Sequence, residues 1–346
     1  MFLGNLLNSA KEGYKRIQAN GISFDSRKVK KNDIFFAIEG TKTSGIKFIN
    51  EAILKGASII VSEKKKKYKN KKIPLIVVKD IRKILAETCS KFYKKKPNNI
   101  IAVTGTNGKS SVVNFFYQIL SLNGISVASI GTLGISSYNY NKKTNLTSMD
   151  PVSLHKNLQI LKEKKIKNVI LEASSHGLNQ KRLDNLNIKT GIFTNLSHDH
   201  LDYHKNMRSY FNSKMHLFKN LLKKGSQIIT DEDNKEFKAI KKITSKKKIK
   251  EITIGTKTGN IKILDNKYKK NKQIVTISTN SEIFNLEIPL IGYFQLKNLF
   301  MAILAAITCG LDQNKIFKQI HKIRPVPGRL ECVSSLNNNS NIIVDF

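Results

Sequence analysis

Eight consecutive residues, Thr104-Gly105-Thr106-Asn107-Gly108-Lys109-Ser110-Ser111, place two glycines, a lysine and several hydroxyls between an apolar run and a helical pattern. Backbone amides at a helix N-terminus carry partial positive charge, and glycines let an anion approach them closely. The pattern therefore builds a phosphate cradle. In it Lys109 reaches the terminal phosphates of a nucleotide and Ser110 places its hydroxyl on Mg²⁺. The spacing is the short G-x-x-G-K-S form, because Val103 stands where the longer loop has its first glycine.

A second group is Leu171-Glu172-Ala173-Ser174-Ser175-His176-Gly177-Leu178, followed by Gln180 and Arg182. Glu172 ends an apolar run that reads as a strand, and open α/β sheets bind their ligands at strand carboxyl ends. A carboxylate there suits Mg²⁺, which prefers oxygen donors and shares them with substrate phosphates. The third group, Asn195-Leu196-Ser197-His198-Asp199-His200-Leu201-Asp202-Tyr203-His204, completes a stretch that holds four of the seven histidines. No cysteine lies nearby, so a second Mg²⁺ or a phosphate-orienting role fits these residues better than a zinc site.

These groups need strands and helices in alternation to bring them together. Ile100–Thr104, Ile125–Ile130, Val169–Leu171, Gly191–Leu196 and Gln227–Thr230 read as strands. Val112, Val113, Phe116, Ile119 and Leu120 fall on one face of a helix, with Gly124 placed as its C-terminal cap. Further helices are expected around Leu154–Leu161, over Tyr210–Leu222 and over Gln295–Cys309. The alternation predicts an α/β fold whose sheet is mostly parallel through right-handed crossovers. Residues 240–285 carry a weaker, Lys-rich, hairpin-like pattern.

A domain boundary is expected at Lys94–Asn99, where Pro97 interrupts a polar run, and a second hinge at Pro325–Gly328. The expected domains are 1–95, 96–326 and the opening of a third from 327, cut just after Asp345.

The 346 residues carry 61 Lys and Arg against 25 Asp and Glu, a formal net charge of +36, and 40% are hydrophobic. Only seven of the cations are arginine, the residue best shaped for phosphate and base recognition. The surplus is therefore expected to be a solvated lysine surface and not a nucleic-acid groove. Cys89, Cys309 and Cys332 are odd in number and far apart, which suits neutral or buried thiols in a reducing compartment. With no secretory signal and no apolar run of membrane-spanning length, a soluble cytoplasmic protein with no membrane association is expected.

The ordered motifs resemble the Mur ligases of bacterial cell-wall synthesis, and within them the branch that adds the third peptide residue. The resemblance runs through Asp25-Ser26-Arg27, Asp33–Gly40, the Thr104–Ser111 loop, Leu146–Pro151, Glu172–Leu178, Asn195–His204, Tyr210–Lys214, Gly292-Tyr293-Phe294 and Val326–Glu331. It implies an N-terminal α/β domain for a UDP-linked substrate, a central P-loop ATPase domain and a Rossmann-like third domain of which little is here. Phe24, Ser26, Thr41, Lys42 and Thr43 would hold the uridine diphosphate end, and Thr147, Ser148, Ser174, Gln180 and Arg182 the sugar and peptide. ATP would be held by Gly105 to Ser111 with Asn298, Arg329 and Asp345. Mg²⁺ would be held by Ser110, Glu172, His200 and a carbamylated Lys214, so that Lys109, Glu172, His200 and Lys214 form the catalytic set. Leu146, Ser148 and Met149 depart from the family's usual run.

The implied reaction is ATP-dependent amide formation by a monomer. A diamino acid, meso-diaminopimelate or L-lysine, would join UDP-N-acetylmuramoyl-L-alanyl-D-glutamate through an acyl phosphate. The rival expectations are a nucleic-acid-dependent P-loop NTPase and a binding-only fragment.

Overall fold

Ile34, Phe35 and Phe36 point alternately to opposite faces of a strand, and all three are buried. Ile34 and Phe36 join one apolar cluster with Leu3, Ile59, Val61, Leu85 and Cys89, while Phe35 joins another with Ile49, Ala52 and Ile60. A sheet covered on both faces needs such continuous apolar strands, and this is the environment in which parallel sheets occur.

The computed structural model describes residues 1–40, 43–65, 73–144, 146–269, 272–279, 282–335 and 341–345. Thr41 and Lys42 lie outside the described residues.

The chain forms two compact units. The first comprises Met1–Lys96, Asp150–Ile160 and Gln180–Leu186. Its sheet runs β1 (Gly21–Ser23), β2 (Asp33–Phe36), β3 (Ile59–Ser62) and β4 (Leu75–Val77), in that order and all parallel. Helices α1 (Ile49–Leu54) and α2 (Ile81–Phe92) pack with it, and Asp80 caps α2 by accepting from the Lys83 amide at 3.0 Å.

The second unit comprises Pro97–Met149, Leu161–Asn179 and Asn187–Phe346. β5 (Asn99–Thr104) leads through the loop into α3 (Lys109–Leu122) and β6 (Val127–Gly131), which pairs with the short antiparallel β7 (Gly134–Ser137). Helix α4 (Pro151–Glu163), most of which belongs to the first unit, precedes β8 (Asn168–Glu172), and α5 (Ser175–Asn179) precedes β9 (Thr190–Phe193). Then follow α6 (Leu201–His204), α7 (Met207–His216), β10 (Gln227–Asp231), α8 (Phe237–Lys247) and β11 (Lys250–Gly255). The weak Lys-rich stretch becomes α8, β11 and the antiparallel meander β12 (Ile261–Lys269), β13 (Lys272–Thr279), β14 (Ile283–Ile288). Helices α9 (Tyr293–Thr308) and α10 (Gln313–Gln319) and the hairpin β15 (Glu331–Ser335), β16 (Asn341–Val344) complete it.

The sheet order is β14-β13-β12-β11-β10-β9-β5-β8-β6-β7, parallel from β12 through β6. The α/β, mostly parallel expectation holds. β5 lies between β8 and β9, so the chain leaves it in one direction and later returns on its other side, the topology that opens a crevice at strand carboxyl ends. α3 and α9 cover one face: Phe115, Phe116, Ile119, Leu299, Phe300 and Ile303 share a cluster with Ile101, Val103, Ile192 and Ile229. Burying each of these side chains stabilises the unit by about 1.5–3 kcal/mol, which fixes both helices on the sheet.

Gly124 caps α3 in the left-handed region at φ +70°, with the Ile125 amide bonded back to the Leu120 carbonyl at 2.9 Å. The helix expected over Tyr210–Leu222 begins earlier, at Met207, because Asn206 accepts from the Ser209 amide at 2.8 Å; its last turn, Leu217–Leu221, is a wider π-helix.

Candidate active site

The phosphate cradle is built from the end of β5 and the start of α3. Gly108 caps α3 at φ +83°, and a Cβ there would lie 2.4 Å from Asn298 Oδ1, so glycine alone allows both the turn and the approach of α9. The end of β9 holds the loop in shape. The Asn107 amide donates to Asn195 Oδ1 at 3.0 Å, Thr194 Oγ1 donates to the Asn107 carbonyl at 2.6 Å, and the Ser197 amide donates to Thr106 Oγ1 at 3.0 Å. Thr106 Oγ1 also lies 3.2 Å from the Tyr210 hydroxyl on α7.

Lys109 folds back over the loop and donates to the carbonyls of Gly105 at 3.1 Å and Thr106 at 2.6 Å. Burial pulls it below the ordinary lysine range, while the nearby Glu172 and Asp199 raise it and Arg329 lowers it further. Lys109 is thus the point at which the expected residues Glu172 and Arg329 come within electrostatic reach of each other's site.

Glu172 ends β8, directly beside Val103 of β5. It is buried, and its Oε1 accepts from Ser110 Oγ at 3.0 Å and from the Thr132 amide at 2.8 Å; Oε2 accepts from Thr132 Oγ1 at 3.2 Å. Burial raises its pKa against these bonds and the pull of Lys109. Gly131 lets the carboxylate in, since a Cβ there would lie 2.1 Å from Oε1. Ser148 ties the same strand end together, donating to the Glu172 carbonyl at 2.9 Å and accepting from the Ser174 amide at 2.8 Å. Thr147 Oγ1 accepts from Thr132 Oγ1 at 3.2 Å.

Lys214 on α7 is 1% exposed. Its Nζ donates to the Gly105 carbonyl at 2.6 Å and sits 4.1 Å from the centre of the Tyr210 ring. Burial, with Lys109 close by, lowers its pKa to about 6 against the opposing pull of Asp199. His200 stands at φ +52° with its Nε2 3.4 Å from Asp199 Oδ2. Its ring meets those of His176 and Tyr210, and His204 behind it is pushed down to about 4 by burial and by His176, Lys214 and His200.

Asn298 is buried on α9 against the loop and donates to Gln295 Oε1 at 3.4 Å. Gln295 Nε2 in turn donates to the Arg329 carbonyl at 3.1 Å, and Asp345 accepts from the Leu330 amide at 3.4 Å. Asn298 thus lies against the loop, the Arg329 backbone is tied to the same helix through Gln295, and Asp345 is tied to Leu330.

The remaining expected residues belong to the first unit. Phe24 is exposed, Ser26 Oγ is buried and donates to Glu51 Oε2 at 2.9 Å, and the exposed Thr43 accepts from the Gly40 amide at 2.9 Å. Gln180 Oε1 accepts from Arg182 Nη2 at 2.8 Å.

Thr132, Thr194 and Gln295 also shape the site and were not expected from the sequence, and Tyr210 entered only as part of the Tyr210–Lys214 run, with no role of its own. Tyr210 had a signal, its i, i+4 spacing from Lys214. Cys89 and Cys309 are free, and burial raises both thiols. Among the described residues no cluster of three or more His, Cys, Asp or Glu could hold a metal, and no helix is long and apolar enough to cross a membrane.

A phosphate cradle between β5 and α3, with a carboxylate on the neighbouring strand, defines a P-loop nucleotide-binding α/β protein. Residues 103–306 match the Mur ligase middle domain, and residues 18–93 match the Mur ligase family catalytic domain. The chain belongs to the Mur ligase family. A Rickettsia conorii protein named UDP-N-acetylmuramoyl-L-alanyl-D-glutamate--2,6-diaminopimelate ligase is 37% identical over 343 residues, 98% of this chain and 70% of that protein. A Rhizobium meliloti protein of the same name is 35% identical over 331 residues, 95% and 68% of the two chains. A solved structure titled with that ligase name superposes with TM-score 0.87 at 27% identity, over 97% of this chain and 69% of the other. MurF from Thermotoga maritima in complex with ADP shares the fold, at TM-score 0.63 and 19% identity, over 91% and 68% of the two chains.

Proposed function

We propose that this protein joins a diamino acid, meso-diaminopimelate, to UDP-N-acetylmuramoyl-L-alanyl-D-glutamate at the expense of ATP, acting as a cytoplasmic monomer. The observation that carries the proposal is the match along 98% of the chain to a relative of that named activity, at 37% identity. The chain spans about 70% of that relative. In this reading residues 1–95 hold the UDP end of the substrate through Phe24, Ser26 and Thr43, residues 96–326 perform phosphoryl transfer, and residues from 327 open a third domain. Thr147, Ser148, Ser174, Gln180 and Arg182 hold the sugar and peptide.

A carboxylate is a poor acyl donor because oxide is a bad leaving group. The loop amides from Gly105 to Ser111, with Asn298, Arg329 and Asp345, orient ATP. Lys109 swings from the loop carbonyls to the terminal phosphates and neutralises the charge that moves during transfer. The substrate carboxylate oxygen attacks the γ-phosphorus, ADP leaves, and an acyl phosphate forms. The amine of the diamino acid then attacks the acyl carbon, and phosphate departs from the tetrahedral intermediate as the amine loses a proton. No protein nucleophile takes part.

The donor set fits Mg²⁺: Glu172 is a buried carboxylate whose bonds are to the hydroxyls and amide of Ser110 and Thr132, oxygen chemistry that a hard cation shared with phosphates would complete. Ser110 and Glu172 would hold one ion, and His200 with a carbamylated Lys214 a second. Bound there, Mg²⁺ supplies charge neutralisation on the phosphates.

The test is incubation with ATP, the UDP-linked dipeptide and each candidate amino acid, followed by mass spectrometry. A UDP-linked tripeptide containing diaminopimelate is expected; the lysine product alone would correct the amino acid, and ATP turnover driven by RNA or DNA without either product would refute the proposal.

A further inference from the structure

The first two turns of α9 touch three separate parts of the nucleotide side of the site. Asn298 meets the loop at Gly108, and Gln295 reaches the Arg329 carbonyl. Between them Lys297 turns the other way: its Nζ donates to Asp231 Oδ2 at 2.7 Å and to Asp233 Oδ2 at 3.1 Å, 5.2 Å from the centre of the Tyr293 ring. Asp231 is the last residue of β10 and is 3% exposed. Its Oδ1 accepts from the Asp233 amide at 2.9 Å, and Asp233 Oδ1 accepts from Thr256 Oγ1, just past β11, at 3.1 Å. A single amine therefore fastens the start of α9 to the carboxyl ends of two strands.

That start needs fastening. Gly292, before the helix, stands at φ +89° and lends the entry little stiffness of its own. Apolar packing holds α9 on the sheet but is non-directional, so a directional anchor sets the helix's rotation, and with it the aim of Asn298 next to Lys297, more sharply than packing alone. A two-carboxylate anchor with a buried member resists such movement, because pulling the amine away leaves Asp231 buried without its cation.

We propose that Lys297, held by Asp231 and Asp233, is a positioning residue for the nucleotide: it fixes α9 so that Asn298 is presented to ATP bound on the Gly105–Ser111 loop. This rests on the proposed ATP site and adds to it a clamp from outside the loop. Lys297 acts through Asn298 and makes no contact with the reacting phosphate.

The test compares wild type, Lys297→Met, Lys297→Arg and the double variant Asp231→Asn/Lys297→Met by calorimetric titration with a non-hydrolysable ATP analogue, thermal melting and steady-state kinetics. Lys297→Met can fail to fold because it strands the Asp231 charge, so the double variant, which removes that charge, decides. A clamp predicts that the double variant melts near wild type yet binds the analogue about tenfold more weakly, and that its KM for ATP rises in step. Its kcat and its affinity for the UDP-linked dipeptide stay within about twofold of wild type, and Lys297→Arg restores tight binding. Wild-type nucleotide affinity in a folded double variant would overturn the clamp and leave the ATP site standing. A wild-type protein that binds no analogue would overturn the ATP site itself.

Discussion

The Nζ of Lys214 donates a 2.6 Å hydrogen bond to the carbonyl of Gly105, the first glycine of the loop. The same carbonyl accepts from Lys109 at 3.1 Å, so two amines from different helices converge on one peptide group. Tyr210, one turn before Lys214, bonds the next loop residue, Thr106, at 3.2 Å. Helix α7 thus grips the loop at two successive residues, and the amine it buries there is the one proposed above to be carbamylated.

Lys214 should make stability depend on pH. Its folded value, about 6, lies below the ordinary lysine value of 10.5. Between the two the unfolded chain binds a proton that the folded chain does not, so stability rises with pH across that window. The slope from this one group is at most about 1.4 kcal/mol per pH unit. Chemical denaturation at pH 6.5 and 8.5 is expected to show a smaller rise for Lys214→Met than for wild type; equal rises would show that Lys214 is protonated when folded. The neutral amine should also take up ¹³C-labelled bicarbonate, seen as a carbamate carbon by NMR that the variant lacks.

Replacing Lys109 with Ala removes the cation expected to follow the transferring phosphoryl group. Activity should fall by about a thousandfold or more, as for other phosphoryl-transfer sites that lose their main charge partner. Affinity for the UDP-linked dipeptide should stay near wild type. Normal turnover by this variant would remove the loop from the mechanism.

Gly131→Ala places a methyl group 2.1 Å from Glu172 Oε1, so the carboxylate must leave its bonds to Ser110 and Thr132. Activity should drop about a hundredfold, since misplacement of this size disrupts a preorganised site. Glu172→Gln should drop it comparably and raise the Mg²⁺ concentration needed for half-maximal rate. A Gly131→Ala protein with wild-type Mg²⁺ dependence would count against Glu172 as a ligand.

His155, in the first unit, is wholly buried, and burial together with nearby Lys96 lowers it to about 3 against the pull of the Asp184 backbone. The unfolded chain takes up a proton on it below the ordinary value of 6.5 while the folded chain does not, so stability is lost as pH falls from 6.5 toward 3. From pH 7 to pH 5 the loss from this group is up to about 2 kcal/mol. His155→Leu should flatten the acid side of the melting profile; an unchanged profile would mean that other groups set it.

The loop, the β5–α3 unit and Glu172 were legible in the sequence because each is a local pattern: an apolar run, a glycine turn, a helical face. Lys214 was singled out only by its motif, since one lysine among so many carries no local mark. Tyr210 with Thr106 and Lys297 with Asp231 were not legible, because each pair is far apart in sequence and joined only by the packing of a helix on the sheet. Residues 240–285 blurred for another reason. The β12–β14 meander leaves many positions exposed, so its strands mix lysines with isoleucines and lose the clean apolar signal of the central strands.

The most direct measurement follows oxygen. In the proposed mechanism the Lys109 loop transfers the γ-phosphoryl of ATP to a substrate carboxylate. With the acceptor carboxylate of UDP-N-acetylmuramoyl-L-alanyl-D-glutamate labelled with ¹⁸O, one labelled oxygen should appear in the phosphate released during turnover, and Lys109→Ala should abolish the transfer. Release of unlabelled phosphate alongside product would contradict the acyl phosphate route and with it the role assigned to the loop.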